Sequence, residues 1–179
     1  MKYESHNRIF AGMIMLLLLL GLTACSSGPI DRNTQFTLGQ SLQVNNQSTS
    51  TIAVDLVGVN ATDYKRWYNY SMTRYFSAGD LLRSGAVKAT INFTPGSSAK
   101  VVFSKHNPIW KQWKKNGDTY LFVLAQLPGI RQDMPGPEDP RRLILPLQKS
   151  RWPDSANPIR ILIKNSGVVC LTPPKPKKS

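Results

Sequence analysis

Histidine, cysteine and carboxylate side chains are all scarce in this sequence. Its 179 residues contain two histidines, two cysteines and 10 acidic residues, against 23 lysines and arginines. So few histidines and cysteines leave little material for a metal site or a disulfide framework. The GxSxG and HExxH motifs, the P-loop and a paired CxxC are also missing. We therefore predict a protein that is not an enzyme and that uses no cofactor and no metal.

One catalytic pattern is present in part. Ser97–Lys100 matches the SxxK motif of penicillin-binding proteins, and Ser155–Asn157 imitates their second motif. The third motif fails, because Lys164–Gly167 contains an inserted asparagine. Ser97 also follows a Thr-Pro-Gly turn sequence, whereas the nucleophile of those enzymes opens a buried helix. We interpret the segment as a turn between two strands.

The apolar content is high enough for a folded domain. Hydrophobic residues make up 41% of the chain, which is ordinary for a globular protein and excludes wholesale disorder despite a net charge of +13. The length fits one domain of about 150 residues plus an appendage. The positive charge favours an anionic neighbour such as lipid headgroups or a glycan, although plain solubility is an equal explanation.

The appendage is the N-terminal segment. A charged start precedes the apolar run Ile9–Leu20, which fits a secretory signal peptide, since a membrane-spanning helix needs about 20 apolar residues. The run leads to Leu22–Cys25 (Leu-Thr-Ala-Cys), which resembles the lipobox of bacterial lipoproteins. An uncleaved N-terminal anchor is the alternative. The resemblance implies that residues 1–24 are a signal peptide that is removed and that Cys25 carries lipid.

The residues after the lipobox bear on location. The residue following Cys25 is Ser26, and in lipoproteins of this type an aspartate there favours the inner membrane. The resemblance therefore implies an outer-membrane anchor with the protein facing the periplasm, where nucleic acid is not an expected partner. Residues 25–34 are the predicted lipidated tether. In the mature chain Cys170 is the one cysteine without lipid, and we interpret it as a small buried hydrophobe, with an intermolecular disulfide as the alternative.

Short strand-like segments separated by Gly, Pro and Asn turns fill the rest of the chain. We predict a mainly β fold, an antiparallel β-sandwich with short helical insertions, over residues 35–172. The predicted strands are Gln35–Val44, Ile52–Val59, Tyr70–Phe76, Val87–Phe93, Ala99–Phe103, Tyr120–Leu127, Arg142–Leu147, Ile159–Lys164 and Val168–Leu171. A polar loop is expected at Asn45–Thr51, helical turns at Ala61–Asn69, Ser77–Arg83 and Asn107–Lys115, and a basic Pro/Lys tail over residues 173–179.

Lysines and two tryptophans combine in the segment Lys105–Lys115. On a helix, tryptophans three residues apart are surface neighbours. Both rings could pack against the edge of a sheet while the lysines stay in water. Alternatively, the cluster is a platform for an anionic lipid headgroup, a phosphorylated glycan or the acidic loop of a partner. This candidate partner or ligand surface consists of Trp110, Lys111, Trp113, Lys114 and Lys115.

A second charged segment is Arg131–Arg142. It contains three acidic residues, three arginines and three prolines. We interpret it as a rigid, self-neutralising loop with surface salt bridges. A calcium site and a partner-recognition loop are the alternatives, although the spacing of the carboxylates matches no known calcium loop.

Several segments together resemble the TssJ family, the outer-membrane lipoprotein of the type VI secretion membrane complex. The matching pieces are Cys25, Ile52–Val59, Tyr70–Leu82, Thr94–Gly96 and the strand that ends Val123–Ala125. The chain departs from the family pattern at Trp110–Trp113, Pro135–Pro140 and Arg141–Arg142. The resemblance implies an outer-membrane anchor that binds the periplasmic domain of an inner-membrane partner.

Two functions remain open from the sequence. The first is a non-enzymatic scaffold that recruits an envelope protein, and the second is a carrier for an anionic lipid or glycan. A closed sandwich interior with both tryptophans packed would favour the scaffold. An apolar pocket of about 300 Å³ or more, rimmed by Lys111 and Lys114, would favour the carrier.

Overall fold

The computed structural model describes Ile30 and residues 32–176. The predicted signal peptide, the lipobox with Cys25 and the last three residues of the basic tail lie outside the described residues. Lipidation of Cys25 therefore stays a prediction. Among the described residues, no helix has both the length and the apolar character needed to span a bilayer.

The described residues contain ten strands. In chain order they are β1 (Thr34–Leu38), β2 (Gln43–Val44), β3 (Gln47–Ser48), β4 (Ile52–Val59), β5 (Lys88–Phe93), β6 (Lys100–Phe103), β7 (Tyr120–Ala125), β8 (Arg142–Pro146), β9 (Ile159–Lys164) and β10 (Gly167–Cys170). The first sheet has the order β10-β9-β1-β6, and the second has the order β5-β4-β7-β8, while β2 and β3 form a small hairpin. Side chains from both four-stranded sheets share one buried cluster, which includes Phe36, Leu56, Phe93, Leu145 and Ile161. The prediction of a mainly β sandwich is confirmed.

One strand pair differs from an antiparallel sandwich. β1 and β9 run parallel, with Thr34 opposite Ile159 and Leu38 opposite Ile163, whereas the other pairs of the two large sheets are antiparallel. The two strands are more than 100 residues apart in the chain, so no turn sequence between them could indicate their direction.

The strand β4 is buried on both faces. Ile52, Val54 and Leu56 point into the core between the sheets, whereas Val57 and Val59 belong to a second apolar cluster on the other face. The alternation of the sequence predicts only a half-buried strand. Burial of the second face follows from the helices that cover it.

Three short helices between β4 and β5 supply that cover. They are α1 (Tyr64–Asn69), α2 (Met72–Tyr75) and α3 (Leu81–Gly85), and a fourth helix, α4 (Ile109–Lys115), connects β6 to β7. Trp67, Met72, Tyr75 and Leu82 of the first three helices pack with Phe122 of the second sheet in the second apolar cluster. The helical layer thus lies on the outer face of the second sheet.

The predicted strand Tyr70–Phe76 is wrong, because this segment contains helix α2. The Ser71 hydroxyl accepts a hydrogen bond of 3.0 Å from the backbone N–H of Arg74, which caps the start of the helix. Met72 and Tyr75, three residues apart, are both fully buried. The alternation of apolar residues therefore predicted a strand wrongly, because the two buried residues lie at positions i and i+3 of a helix.

The first predicted strand and the loop after it also differ in detail. Gln35–Val44 is interrupted after Gly39 by a 3₁₀ turn at Gln40–Leu42. The predicted loop contains the turn of the β2–β3 hairpin, in which Asn45 and Asn46 have φ angles of 50° and 61°. Two successive residues with positive φ are typical of the type I′ turn that joins tight hairpins, and asparagine tolerates this conformation.

Candidate partner-binding site

Helix α4 carries the basic and aromatic cluster. Trp113 is fully buried and Trp110 is 5% exposed, and the two rings meet edge to face with centroids 5.0 Å apart. The indole N–H of Trp110 donates to the carbonyl of Ser104, and that of Trp113 donates to the carbonyl of Val87, each over 2.9 Å. Both polar atoms are thus satisfied, so the rings fix the helix to the sandwich core.

The burial of these rings corrects one part of the predicted surface. Trp110 and Trp113 present no flat ring face to solvent, because both rings fill the space between the sheets. Lys111, Lys114 and Lys115 on the same helix are exposed. Of the two interpretations that the sequence leaves open, packed rings with solvated lysines matches the structure. A partner role for the three lysines stays a prediction.

Gly58 allows the close approach of α4 to β4. A Cβ atom at Gly58 would lie 2.4 Å from Cδ1 of Trp113 and 2.5 Å from Oδ2 of Asp118. No side chain fits there unless the ring or the carboxylate moves. Gly58 and Asp118 are not among the predicted site residues, although a glycine inside a strand is a known sign of close backbone approach.

A cleft of about 320 Å³ opens beside this contact, between β4, the helical layer and the end of α4. Its lining includes Asp63, Arg66, Leu81, Asn116 and Asp118. Oδ2 of Asp118 is buried and has no hydrogen-bond partner among the described residues. Desolvation, together with the negative charge of Asp63, raises the pKa of Asp118 to about 6. Leu81 is 81% exposed on the lining of the cleft.

A buried carboxylate fixes the helical layer that forms one wall of the cleft. Asp55 lies in the middle of β4 and is completely buried. Its Oδ2 accepts hydrogen bonds of 2.9 Å from the Tyr75 hydroxyl and from Nε of Arg83, and its Oδ1 accepts one of 2.7 Å from the Thr90 hydroxyl. Burial, and next the charge of Asp55, raises the pKa of Tyr75. Asp55 therefore ties α2, α3 and β5 to the central strand.

The segment Arg131–Arg142 is not the surface salt-bridge loop that the sequence predicts. The Arg141 side chain is buried, and its Nη2 atom lies 2.6 Å from Oδ1 of Asp133 and 2.7 Å from Oδ2 of Asp139. Oδ1 of Asp133 also accepts from the backbone N–H of Thr73 over 2.9 Å. The loop is therefore attached to helix α2 by buried and partly buried charged groups.

Arg142 makes the second attachment of this loop and is also buried. Its guanidinium donates to the backbone carbonyls of Tyr68 and Tyr70, at the end of α1. Carbonyls at a helix C-terminus lack intrahelical donors, and the forked guanidinium supplies two. Arg141 and Arg142 thus support the helical layer. In the part of the chain that the structure describes, no group of three or more His, Cys, Asp or Glu is placed to hold a metal ion.

Two further sequence patterns are placed by the structure. Ser97 lies in the turn between β5 and β6, where its hydroxyl accepts from the backbone N–H of Thr94 over 2.9 Å, so its interpretation as a turn residue is confirmed. Cys170 is partly buried, and burial raises the pKa of its thiol. Neither Lys111 nor Lys114 lines the cleft beside Gly58.

Comparisons with known proteins give only remote similarities. No protein-family model matches the chain, and no curated protein matches it. The chain is similar to the type VI secretion lipoprotein TssJ1 from Pseudomonas aeruginosa, with 12% identity over 80% of this chain and 96% of that chain and a TM-score of 0.44. It is also similar to Lip of Serratia marcescens, a membrane-bound component of the type VI secretion system, with 13% identity over 79% and 98% of the two chains and a TM-score of 0.42.

A third similar chain comes from the structure of the T6SS protein TssM C-terminal domain from EAEC. It has 13% identity, coverage of 78% of this chain and 96% of that chain, and a TM-score of 0.48. The structural neighbours thus include proteins of the system that the sequence resemblance names. Likenesses of this size concern the fold and carry no argument about the function of this chain.

Proposed function

We propose that the protein is a non-enzymatic lipoprotein that recruits a protein partner into an envelope complex. In this proposal Cys25 anchors it in the outer membrane and the domain faces the periplasm. The lipobox-like segment Leu22–Cys25 and the serine at position 26 support the anchor and its location. The type VI secretion membrane complex is the proposed assembly, on the strength of the sequence resemblance to TssJ.

The observation that carries the recruiting role is the rigid display of lysines on α4. A helix of seven residues is not stable by itself in water. Two buried tryptophans hold it on the core, and Lys111, Lys114 and Lys115 are exposed on it. Asn116, which directly follows the helix, lines a cleft that contains two carboxylates. Fixed charges of both signs next to a concave surface suit recognition of a folded protein, because they select for a complementary charge pattern.

Charge reversal on α4 tests this role. The variant Lys111→Glu/Lys114→Glu changes the charge at two exposed positions of the helix, and Lys65→Glu/Arg131→Glu makes the same change at two exposed positions elsewhere. We expect chemical crosslinking in intact cells to yield an adduct with an envelope protein that is lost only in the α4 variant. Equal adduct yields from the two variants would contradict the assignment of the surface.

The anchor has a test of its own. Cys25→Ser removes the acceptor thiol, so we expect the protein to leave the membrane fraction. A variant that fractionates with membranes as the unchanged protein does would exclude lipid at Cys25 as the anchor. The identities of the neighbouring genes test the assembly, because a component of a secretion apparatus is expected to be encoded beside the rest of it.

A further inference from the structure

The two large sheets differ in what covers their outer faces. The helical layer lies on the second sheet, whereas the outer face of the first sheet presents exposed side chains. We call this surface the open face. Its exposed members are Lys100 and Val102 of β6, Arg160 and Lys164 of β9, Val169 of β10 and Leu171, which directly follows β10.

The strand register places apolar and cationic side chains side by side on the open face. Leu162 stands opposite Val169, and Arg160 lies on β9 two residues before Leu162. The backbone N–H of Leu171 donates to the carbonyl of Arg160 over 2.8 Å, so Leu171 adjoins this group. Val169 is 42% exposed and Leu171 is 50% exposed. A groove of about 750 Å³, whose lining includes Leu162 and Lys164, continues the same surface.

The positive charges of the open face are not neutralised by acidic residues on the strands of the first sheet. The four strands of the first sheet contain no aspartate or glutamate. No ion pair of Lys100, Arg160 or Lys164 occurs among the salt bridges of the described residues. A mixed apolar and cationic surface of this kind is the composition that binds the interface of an anionic membrane.

The predicted anchor brings the open face close to a bilayer. Thr34 starts β1 opposite the first residue of β9, so the chain enters the first sheet at the end where Arg160 and Leu171 lie. The five residue-to-residue steps from Cys25 to Ile30 span at most about 18 Å when fully extended. A lipid on Cys25 would therefore hold this end of the domain near the headgroups.

We propose that the open face is a membrane-docking surface that lies on the anionic lipid headgroups of the membrane holding the anchor. This inference rests on the lipid anchor of the proposed function. The residues of α4 and of the cleft are not part of the open face, so both stay free for a protein partner. Each cation near an anionic surface strengthens attachment by about fivefold, so the three of them together give about 100-fold.

The test uses the native mature protein in vesicles, with lysine acetylation read by mass spectrometry. One set of vesicles is phosphatidylcholine alone, and the other contains about 30% phosphatidylglycerol. On the anionic vesicles we expect Lys100 and Lys164 to be acetylated several-fold more slowly than on the neutral ones. The exposed lysines Lys65 and Lys111 serve as controls and should react at the same rate on both. The protection of Lys100 and Lys164 should fade between 50 mM and 500 mM salt, because ions screen the attraction.

A label gives a second reading without relying on lysine chemistry. A fluorophore at Val169→Cys, in a Cys170→Ala background, should be quenched by nitroxide lipids on anionic vesicles. The same label at Met134→Cys, a position of similar exposure in the Arg131–Arg142 loop, should not be quenched. Replacing Lys100, Arg160 and Lys164 with glutamine should abolish the difference.

Each alternative outcome is decisive. Protein that does not float with the vesicles contradicts the anchor itself, and so the proposed function. Protein that floats while Lys100 and Lys164 react equally on both lipids contradicts membrane docking alone. Protection of Lys111 instead of Lys100 would assign the lipid surface to α4. Protection of Lys100 and Lys164 on neutral vesicles, together with the mass of a dimer, would assign the open face to a second copy.

Discussion

Replacement of Gly58 by alanine tests the packing that holds α4 in place. The new Cβ would lie 2.4 Å from Cδ1 of Trp113 and 2.5 Å from Oδ2 of Asp118, both far inside van der Waals contact. The Trp113 ring cannot easily move, because it is fully buried and its N–H donates a hydrogen bond to the backbone carbonyl of Val87. Overpacking of this kind costs about 1–3 kcal/mol, and the restrained ring places this site in the upper half, at about 2–3 kcal/mol.

Thermal unfolding measures the effect. For a domain of this size each 1 kcal/mol moves Tm by about 2–4 °C, so Gly58→Ala should lower Tm by about 4–12 °C. Gly85→Ala in α3 is the matched control, since the added Cβ would meet no atom within 4 Å beyond its chain neighbours and the backbone of its own helix. Alanine is also the better helix former, so the control should keep or raise Tm. A Gly58→Ala protein with an unchanged Tm would refute the close packing of α4 on β4.

Two further predictions concern buried carboxylates. The pKa of Asp118 is about 6 in the folded protein and near 3.8 when unperturbed. The folded state therefore loses stability relative to the unfolded state as the pH rises through this range, because it holds the proton more tightly. Acidification from pH 7.5 to pH 5 should therefore stabilise the protein by about 1 kcal/mol more than it stabilises the Asp118→Asn variant, as measured by chemical denaturation. Parallel stability profiles of the two proteins over this pH range would exclude the raised pKa of Asp118. Asp55→Ala leaves the buried partners of that carboxylate without their acceptor and should cost about 3–5 kcal/mol, against about 1–2 kcal/mol for Thr90→Val, which removes one donor only. Equal losses in urea denaturation would mean that Asp55 does not organise the helical layer.

Much of the sandwich could be predicted because its strands are local patterns. The predicted bounds of Ile52–Val59 and Ile159–Lys164 agree with β4 and β9, and the predicted helix at Asn107–Lys115 contains α4. These segments combine a clear period with turn residues at both ends. The parallel pairing of β1 with β9 has no such local signal, because strand partners are chosen by the packing of the whole sheet.

The helical layer was harder to predict for a physical reason. Tyr70–Phe76 alternates in polarity, which is typical of a strand. The segment is helical because Ser71 caps the helix and because Met72 and Tyr75 pack together against the second sheet. A lone aspartate inside an apolar strand, as at position 55, does signal a buried charge with partners. The sequence cannot say which arginine or tyrosine supplies them.

The sequence analysis identified the three lysines of α4, whose partner role stays a prediction, but it missed the cleft. The lysines of α4 are exposed because a short helix that buries two tryptophans on one face must turn its other face to water. The cleft beside it depends on Gly58 and Asp118, which are 60 residues apart and are brought together by the crossing of α4 over β4. Such a contact is a property of the tertiary structure alone.

Mass spectrometry of the intact protein, purified from its native membrane, decides whether the protein is a lipoprotein. We predict a chain that begins at Cys25 and carries fatty acyl mass on that residue. A chain without acyl mass, or one that retains residues 1–24, would contradict an envelope lipoprotein.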